Sequence, residues 1–364
     1  MKLRCLWCSM CLMVLSLVCT GPVTAADEGK SQEALALVRI VSLQTADNIE
    51  LGLGLCERSV EALGQEFVKL RAETPVPDAG KKVLWKKRFE QQDDVTLFAL
   101  PGQKFGPMAF QAPAPSLLAY TNGVFSDDVF RDLETFVHIW PSFQAAYKTF
   151  GYSWVYLTTV NEAFLIYPRL PLKDAVANSK PTEKHFYTVA DFANRKPRWE
   201  RPYLDLAGAG MMVTVSAPMF DGDATLGVVS RDVTLDQISR KVLAASTMLD
   251  GLTSVLVLPD GLAVAASDTA LQKEIDTVNS KAKAAVLYYR DAAGIATVSD
   301  MHGIASKDAL ANAVVEEALK RVLDAGDADV LGFTHRGPSG SAAVAVSGSV
   351  SPPWFVVSFK PISE

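Results

Sequence analysis

A chain of 364 residues, 49% of them hydrophobic, is long enough for about two domains, each with its own core. Its formal charge of −6, from 35 Lys and Arg against 41 Asp and Glu, excludes nucleic acid as a general partner and a broadly basic membrane-binding face. Four of the five cysteines (Cys5, Cys8, Cys11 and Cys19) crowd the extreme N-terminus, a distribution that excludes a small disulfide-stapled scaffold.

Lys2 and Arg4 precede the apolar run Leu6 to Val18, and "GPVTAAD" comes after it. A basic start, an apolar core of roughly a dozen residues and small residues before an acid read as a secretory signal peptide over residues 1–25. The run is shorter than the roughly 20 residues of a membrane span. Cleavage after Ala25 or Ala26 is expected, which places the mature protein in the periplasm or outside the cell; an uncleaved leader acting as an anchor is the alternative. Loss of the leader removes Lys2 and Arg4 and takes the formal charge from −6 to −8. It leaves Cys56 as the only cysteine, so no intrachain disulfide can form.

Residues 26–74 read as one long helix, with regular patterning from about residue 32. Ile49, Leu53, Cys56, Val60, Leu63, Phe67 and Leu70 recur at alternating spacings of 4 and 3, a heptad seam that packs lengthwise on another element. The seam serves either the chain's own modules or a second copy, which would give a homodimer. Cys56 reads as a small buried hydrophobe, with an intersubunit disulfide or reactive thiol as alternatives.

Pro75 and Pro77 end the helix. From there to Pro115 the chain is irregular, with "VTLFAL" as its best strand, and a helix is predicted from Ser126 to about Phe150. "YSWVYLTTVNEAFLIYP" reads as a hairpin. "GMMVTVSAPMF", "DGDAT" and "LGVVSRDVTL" make a second one, with Val213, Val215 and Ala217 on one face and Met212, Thr214 and Ser216 on the other. Ser239 to about Asp250 looks helical. These elements form a module over 75–245. A smaller module over 246–364 repeats the plan: the hairpin "SVLVLPDGLAVAAS", a helix within 306–325, and strands in "DVLGFTHRG", "SAAVAVSGSV" and "PPWFVVSFKP". The class is α+β with antiparallel sheets, which excludes a doubly wound nucleotide-binding fold.

No enzyme motif stands out. His138, His185, His302 and His335 lie far apart, and neither an H-E-x-x-H frame, a G-x-S-x-G elbow nor a Walker loop occurs. No catalytic residue, metal site or cofactor is expected.

The most specific stretch begins with "NRKPRWERPYLD", residues 194–205, and runs on into the second hairpin. "W-x-x-P-Y-x-D-x-A-G-x-G-x-x-V-T-x-S-A-P-x-F-D-G…G-V-V-x-x-D-V-T-L" resembles the distal module of double Cache domains, the PAS-like extracytoplasmic sensor domains of bacterial chemoreceptors, histidine kinases and diguanylate cyclases. "SWVYLTT…YP" and "HFYTVA" resemble other parts of that module, and the resemblance extends over essentially the mature chain. It implies a long stalk helix, two stacked PAS-like modules, and a small molecule held in the distal one between sheet and lid. Trp199 and Tyr203 would be lid aromatics, Asp205 would end the lid, and Tyr156 and Tyr187 would line the wall. Asp232 would face a ligand amine, and Arg198 would offer a bidentate donor to a carboxylate.

Plainer roles stand beside these. Trp199 and Tyr203 could plug the sheet, Asp205 could cap a turn in "LDLAGAG", and Arg198 could be a solvated cation. Amino-acid-binding relatives carry an arginine followed by a W-Y-like pair. Arg195 has no such pair after it, so the amino-acid motif is incomplete. Relatives also continue into a second membrane helix, whereas this sequence stops at Glu364. The resemblance therefore implies an exported binding component that reports occupancy to a membrane-bound sensor or transporter. The alternative is a structural or assembly factor of the envelope without a ligand. Convergent polar groups in the distal module favour binding; a face filled by Trp199, Phe136 and Met212 favours the second role.

Overall fold

The structure is a computed structural model that describes residues 23–91, 96–99, 115–150, 154–170, 179–205, 209–243, 246, 249–299, 303–325, 331–348 and 352–362. Helix α1 (Val23–Glu73) has 51 residues, about 76 Å at 1.5 Å per residue. It begins at Val23 rather than near residue 32, because Ala25, Ala26 and Glu28 are strong helix formers and no proline stands between Pro22 and Pro75. The expected leader falls mostly on residues 1–22, outside the described residues. No helix among the described residues is long and apolar enough to cross a membrane.

The heptad seam of α1 is buried against the chain's own sheets. Ile49, Leu53, Cys56, Val60 and Phe67 are inaccessible to solvent and share a core with Val213, Val215 and Val229. Gly64 belongs to this contact: a Cβ there would stand 3.1 Å from Met219, so the missing side chain lets helix and sheet close up. Toward its N-terminus α1 packs Ala34, Val38 and Val41 on Leu252, Ala343 and Ala345. Burial pushes the Cys56 thiol up to about 12, and its Sγ donates to Gly52 O at 3.6 Å, the state of an inert core cysteine rather than a reactive one.

The first sheet is antiparallel throughout. Its strands are β1 (Phe89–Gln91), β2 (Thr96–Ala99), β3 (Ser116–Tyr120), β4 (Val155–Thr159), β5 (Ala163–Tyr167), β6 (Arg198–Trp199), β7 (Tyr203–Leu204), β8 (Met211–Asp221) and β9 (Ala224–Thr234), in the order β1-β2-β3-β5-β4-β9-β8-β6, with β7 also pairing β8. Both expected hairpins are present. The β8–β9 turn needs only Gly222 and Asp223, and Gly222 takes the positive φ (58°) that such a tight turn demands. Helices α2 (Ala79–Lys86) and α3 (Asp127–Phe150) complete this half. The stretch before Pro115 is thus less irregular than expected: Asp78 caps α2 by accepting from Lys81 N at 2.8 Å, and β1 comes next.

The short helix α4 (His185–Thr188) covers the sheet, and α5 (Leu235–Val242) leaves it. Helix α5 starts at Leu235 rather than Ser239, because Thr234 and Gln237 form a capping box that the apolar pattern alone did not reveal.

The second sheet has the order β11-β10-β16-β15-β14, built from β10 (Thr253–Val257), β11 (Ala263–Ala266), β14 (Leu331–Gly337), β15 (Gly340–Gly348) and β16 (Phe355–Pro361). A parallel pair, β12 (Leu287–Tyr288) and β13 (Ile304–Ala305), lies apart from it. Helices α6 (Thr269–Ala282) and α8 (Ala309–Ala325) pack Leu271, Ile275, Val315 and Leu319 against Val255, Val344, Val346 and Val357; α7 (Ala292–Val298) joins β12 to β13.

Candidate functional site

Strand alternation gives the first sheet two unlike faces. Val213, Val215, Val229 and Val233 point toward α1 and α3. On the opposite face the β8–β9 register places Thr214 opposite Asp232 and Ser216 opposite Ser230, while Tyr156 of β4 lies opposite Ser230 from the other side. Leu118, Phe164 and Ile166 extend this face as an apolar patch beside Tyr156.

Asp232 is the centre of the polar stretch. It is only 5% exposed, and its Oδ1 accepts from Tyr156 Oη at 2.8 Å and from Thr214 Oγ1 at 2.7 Å. Because the Thr214 proton goes to Asp232, the 2.7 Å contact between Thr214 Oγ1 and Tyr203 Oη has the tyrosine donating. A chain of hydroxyls thus runs from Tyr203 through Thr214 to one carboxylate oxygen. Among the described residues, Oδ2 takes no hydrogen bond. Burial pushes the Asp232 carboxyl up to about 7, against the two hydroxyl donors, which favour the anion. Burial and the facing carboxylate hold the phenols of Tyr156 and Tyr203 well above their usual range, so both remain donors.

The cover over this face comes from α4 and the strap after it. Phe186 packs its ring edge-on against Tyr156 at 5.0 Å, and its carbonyl accepts from Ser216 Oγ at 2.6 Å. His185 meets the Tyr203 ring edge-on at 4.4 Å, and its Nδ1 lies 2.7 Å from Glu200 Oε2. His185 is near enough to Asp232 to favour its charged form.

The structure brings Tyr156, Tyr203 and Asp232 together and leaves the other expected site residues elsewhere. Trp199 is a correction. In β6 it pairs with Val215, so it shares the valine face, donates Nε1–H to Glu57 Oε1 of α1 at 2.6 Å, and lies 5.8 Å from Trp354. It belongs to the scaffold on the far side of the sheet from Asp232. Phe136 also lies in that core, so neither ring fills the Asp232 face, while Met212 is buried at the β7 pairing.

Asp205 serves a local backbone contact, as its Oδ2 accepts from Ala209 N at 2.8 Å. Tyr187 points away toward Phe192, at 5.5 Å, and burial raises its phenol to about 12. Arg198 is exposed. Arg195 clasps the tip of the β8–β9 hairpin through Gly222 O and Asp223 Oδ1, both at 2.9 Å, and stacks on Phe220. Sequence reasoning missed His185 and Glu200. The first stands in "HFYTVA" and the second in "NRKPRWERPYLD", but their partnership joins positions 15 residues apart and only the fold shows it. Among the described residues, no group of three or more His, Cys, Asp or Glu is placed to hold a metal ion.

Residues 171–240 match the family described as methyl-accepting chemotaxis protein-like, first PDC sensor domain. No curated protein matches the sequence. Among solved structures, the chain is similar to the sensory domain of the Campylobacter jejuni chemoreceptor Tlp3 (CcmL) with isoleucine bound, at 10% identity and a TM-score of 0.52, over 94% of this chain and 98% of that one. The ligand-binding domain of the same receptor in complex with L-valine gives a TM-score of 0.51 at 10% identity, over 94% and 98% of the two chains. The complex with 4-methylisoleucine gives 0.51 at 10% identity, over 94% and 96%. At such identities the likeness carries the fold: a long helix and two antiparallel-sheet modules.

Proposed function

We propose that this chain, a double Cache protein by its fold and by the family match within its first module, is an exported small-molecule-binding sensor component whose ligand engages Asp232. The observation that carries the reading is the buried carboxylate itself. Hydroxyls from three elements organise one of its oxygens, and the other takes no hydrogen bond among the described residues. A charge-bearing group held in that state between an aromatic cover and an apolar patch is suited to a ligand cation or hydrogen-bond donor. The isoleucine and valine in the similar structures belong to those receptors. For this chain the chemistry of Asp232 supports an amine-bearing ligand, and occupancy is reported to a membrane-bound sensor or transporter.

A thermal-shift screen of amino acids, amines, carboxylates and purines tests the reading, because a ligand bound only by the native state raises the melting temperature. Asp232→Asn is expected to weaken the ligand found by roughly 30-fold or more, the scale of losing one partner of a buried charge-assisted bond. An amine also requires the ionised carboxylate, so its affinity should rise with pH up to about 7 and level off above. A ligand whose affinity ignores both the substitution and pH does not bind at Asp232.

One observation favours the envelope assembly role instead. Ser216 donates to Phe186 O, and the Phe186 ring covers Tyr156, so the chain itself occupies part of the face. Silence across the whole panel, together with unchanged envelope association of Asp232→Asn, would select that role.

A further inference from the structure

A cavity of about 610 Å³ opens where the strap over the first sheet meets the second half of the chain. That volume lies within the range of about 300–1,000 Å³ usual for small-molecule sites. One wall comes from His185 and Glu200–Leu204, the other from Leu262, Lys283–Val286, Tyr288, Val298, Ser299 and Gly303. Each wall contributes one cation.

Arg201, from the first wall, uses Nη2 for Asp260 at 2.7 Å and for Tyr288 Oη at 3.4 Å; among the described residues its Nε and Nη1 take no partner. Lys283, from the second wall, ends α6 in the left-handed region (φ 55°), and no ion pair to it occurs among the described residues. The lining carboxylate, Glu200, already faces His185. Two cations with unused donors therefore look across a cleft whose remaining walls include the apolar Leu204, Leu262, Val286 and Val298.

We propose that this seam binds a small organic anion with an apolar body, its carboxylate held by Arg201 and Lys283 and its hydrocarbon part lying on the leucine and valine walls. With Nη2 held by Asp260, the guanidinium offers Nη1–H as a charge-assisted donor to a carboxylate, and the ammonium adds a mobile point charge from the other side. Because the two cations come from opposite walls, the anion ties the two halves together. Tyr203, His185 and Glu200 line the seam and also cover the Asp232 face, so the two sites share a wall, while Asp232 on one side and Arg201 and Lys283 on the other belong to one site each.

Titration calorimetry of the intact chain with succinate, phenylacetate and phenylsuccinate, at low and high salt, tests the site. At least one probe is expected to bind, more weakly at high salt. Arg201→Gln and Lys283→Asn should each weaken it tenfold or more, while Asp232→Asn stays within about twofold. Asparagine tolerates the left-handed conformation at 283, so that variant keeps the helix end, and an unchanged circular-dichroism melt confirms it. Lys283→Glu is expected to abolish binding. No heat from any probe at millimolar concentration overturns the assignment, as does binding that survives both charge removals. Binding lost in Asp232→Asn but retained in Lys283→Asn also overturns it, and would move the anion to the buried carboxylate.

Discussion

The two sheets place their polar residues on opposite faces. In the first, the face toward α1 is mostly apolar, with Val213, Val215, Ala217 and Val229 around the cation Arg231, and the covered face carries Thr214, Ser216, Ser230 and Asp232. In the second, the covered face is Val255, Val257, Val344, Val346 and Val357, sealed by α6 and α8. Its hydroxyls turn instead toward α1: Ser347 meets Ser42 at 2.9 Å, and Ser254 lies between Ser246 at 2.7 Å and Ser358 at 2.6 Å. Similar strand pairing thus serves two ends. One sheet keeps a polar surface under a short helix and strap; the other uses hydroxyls to hold a helix and hydrocarbon to hold itself together.

The sharpest way to break this comparison is to put a carboxylate on the covered face of the second sheet. Val344→Asp would bury an unpaired charge whose strand partners on both sides, Phe333 and Phe359, are apolar. Such burial costs several kcal/mol, and a cooperative thermal transition is expected to be lost at neutral pH. A melt close to that of the unaltered chain would mean the two faces are not different in kind.

The next effect is the pH dependence of the first sheet. Asp232 titrates at about 7 when folded and at about 3.9 when unfolded. Between those values the native state holds more protons, so this group's contribution lets stability fall as pH rises from about 4 to about 7, and then level off. The full change is on the order of 4 kcal/mol at most. Asp232→Asn should remove that slope, which urea titrations of both proteins at pH 5 and pH 8 would reveal. Equal slopes would place the carboxylate outside the buried network.

Thr214→Val is smaller. It keeps the shape but leaves the Tyr203 hydroxyl without its acceptor and Asp232 without one donor, a loss of about 1–3 kcal/mol in chemical denaturation. Smallest is Trp199→Phe, which removes the bond to Glu57 and should lower stability by about 1 kcal/mol while leaving ligand affinity unchanged. A change in affinity there would return Trp199 to the site.

Much of the scaffold is legible in the amino acids because it obeys periodicities. Ile49 to Phe67 form a seam by 4-3 spacing, and β8 and β9 alternate regularly from Met212 to Met219, up to the register shift before Phe220, so side-chain order assigns the faces there. The site is legible where strand phase holds: Tyr156 and Asp232 sit on regular strands. Trp199 and Tyr203 lie four residues apart, which suggests a shared face, but β6 ends at Trp199 and "ERP" resets the phase before β7. His185 and Glu200 depend on a tertiary fold-back that neither residue's neighbours announce. The Thr234–Gln237 capping box is legible in principle, since it is a local pattern, and would have set the start of α5.

Asp232 has a neighbour whose position matters mechanically. Arg231 is one peptide unit along β9 and therefore faces the other way, fully buried, donating to Ser59 Oγ of α1 and to the Ala146 carbonyl of α3, each at 3.1 Å. The strand is thus a rocker with a carboxylate on one arm and a guanidinium on the other. A tilt imposed at Asp232 reaches the long helix through about 3.4 Å of covalent chain, with no loop in between to absorb it. Because α1 continues across the second sheet, that rocker bears on an element that packs on both halves.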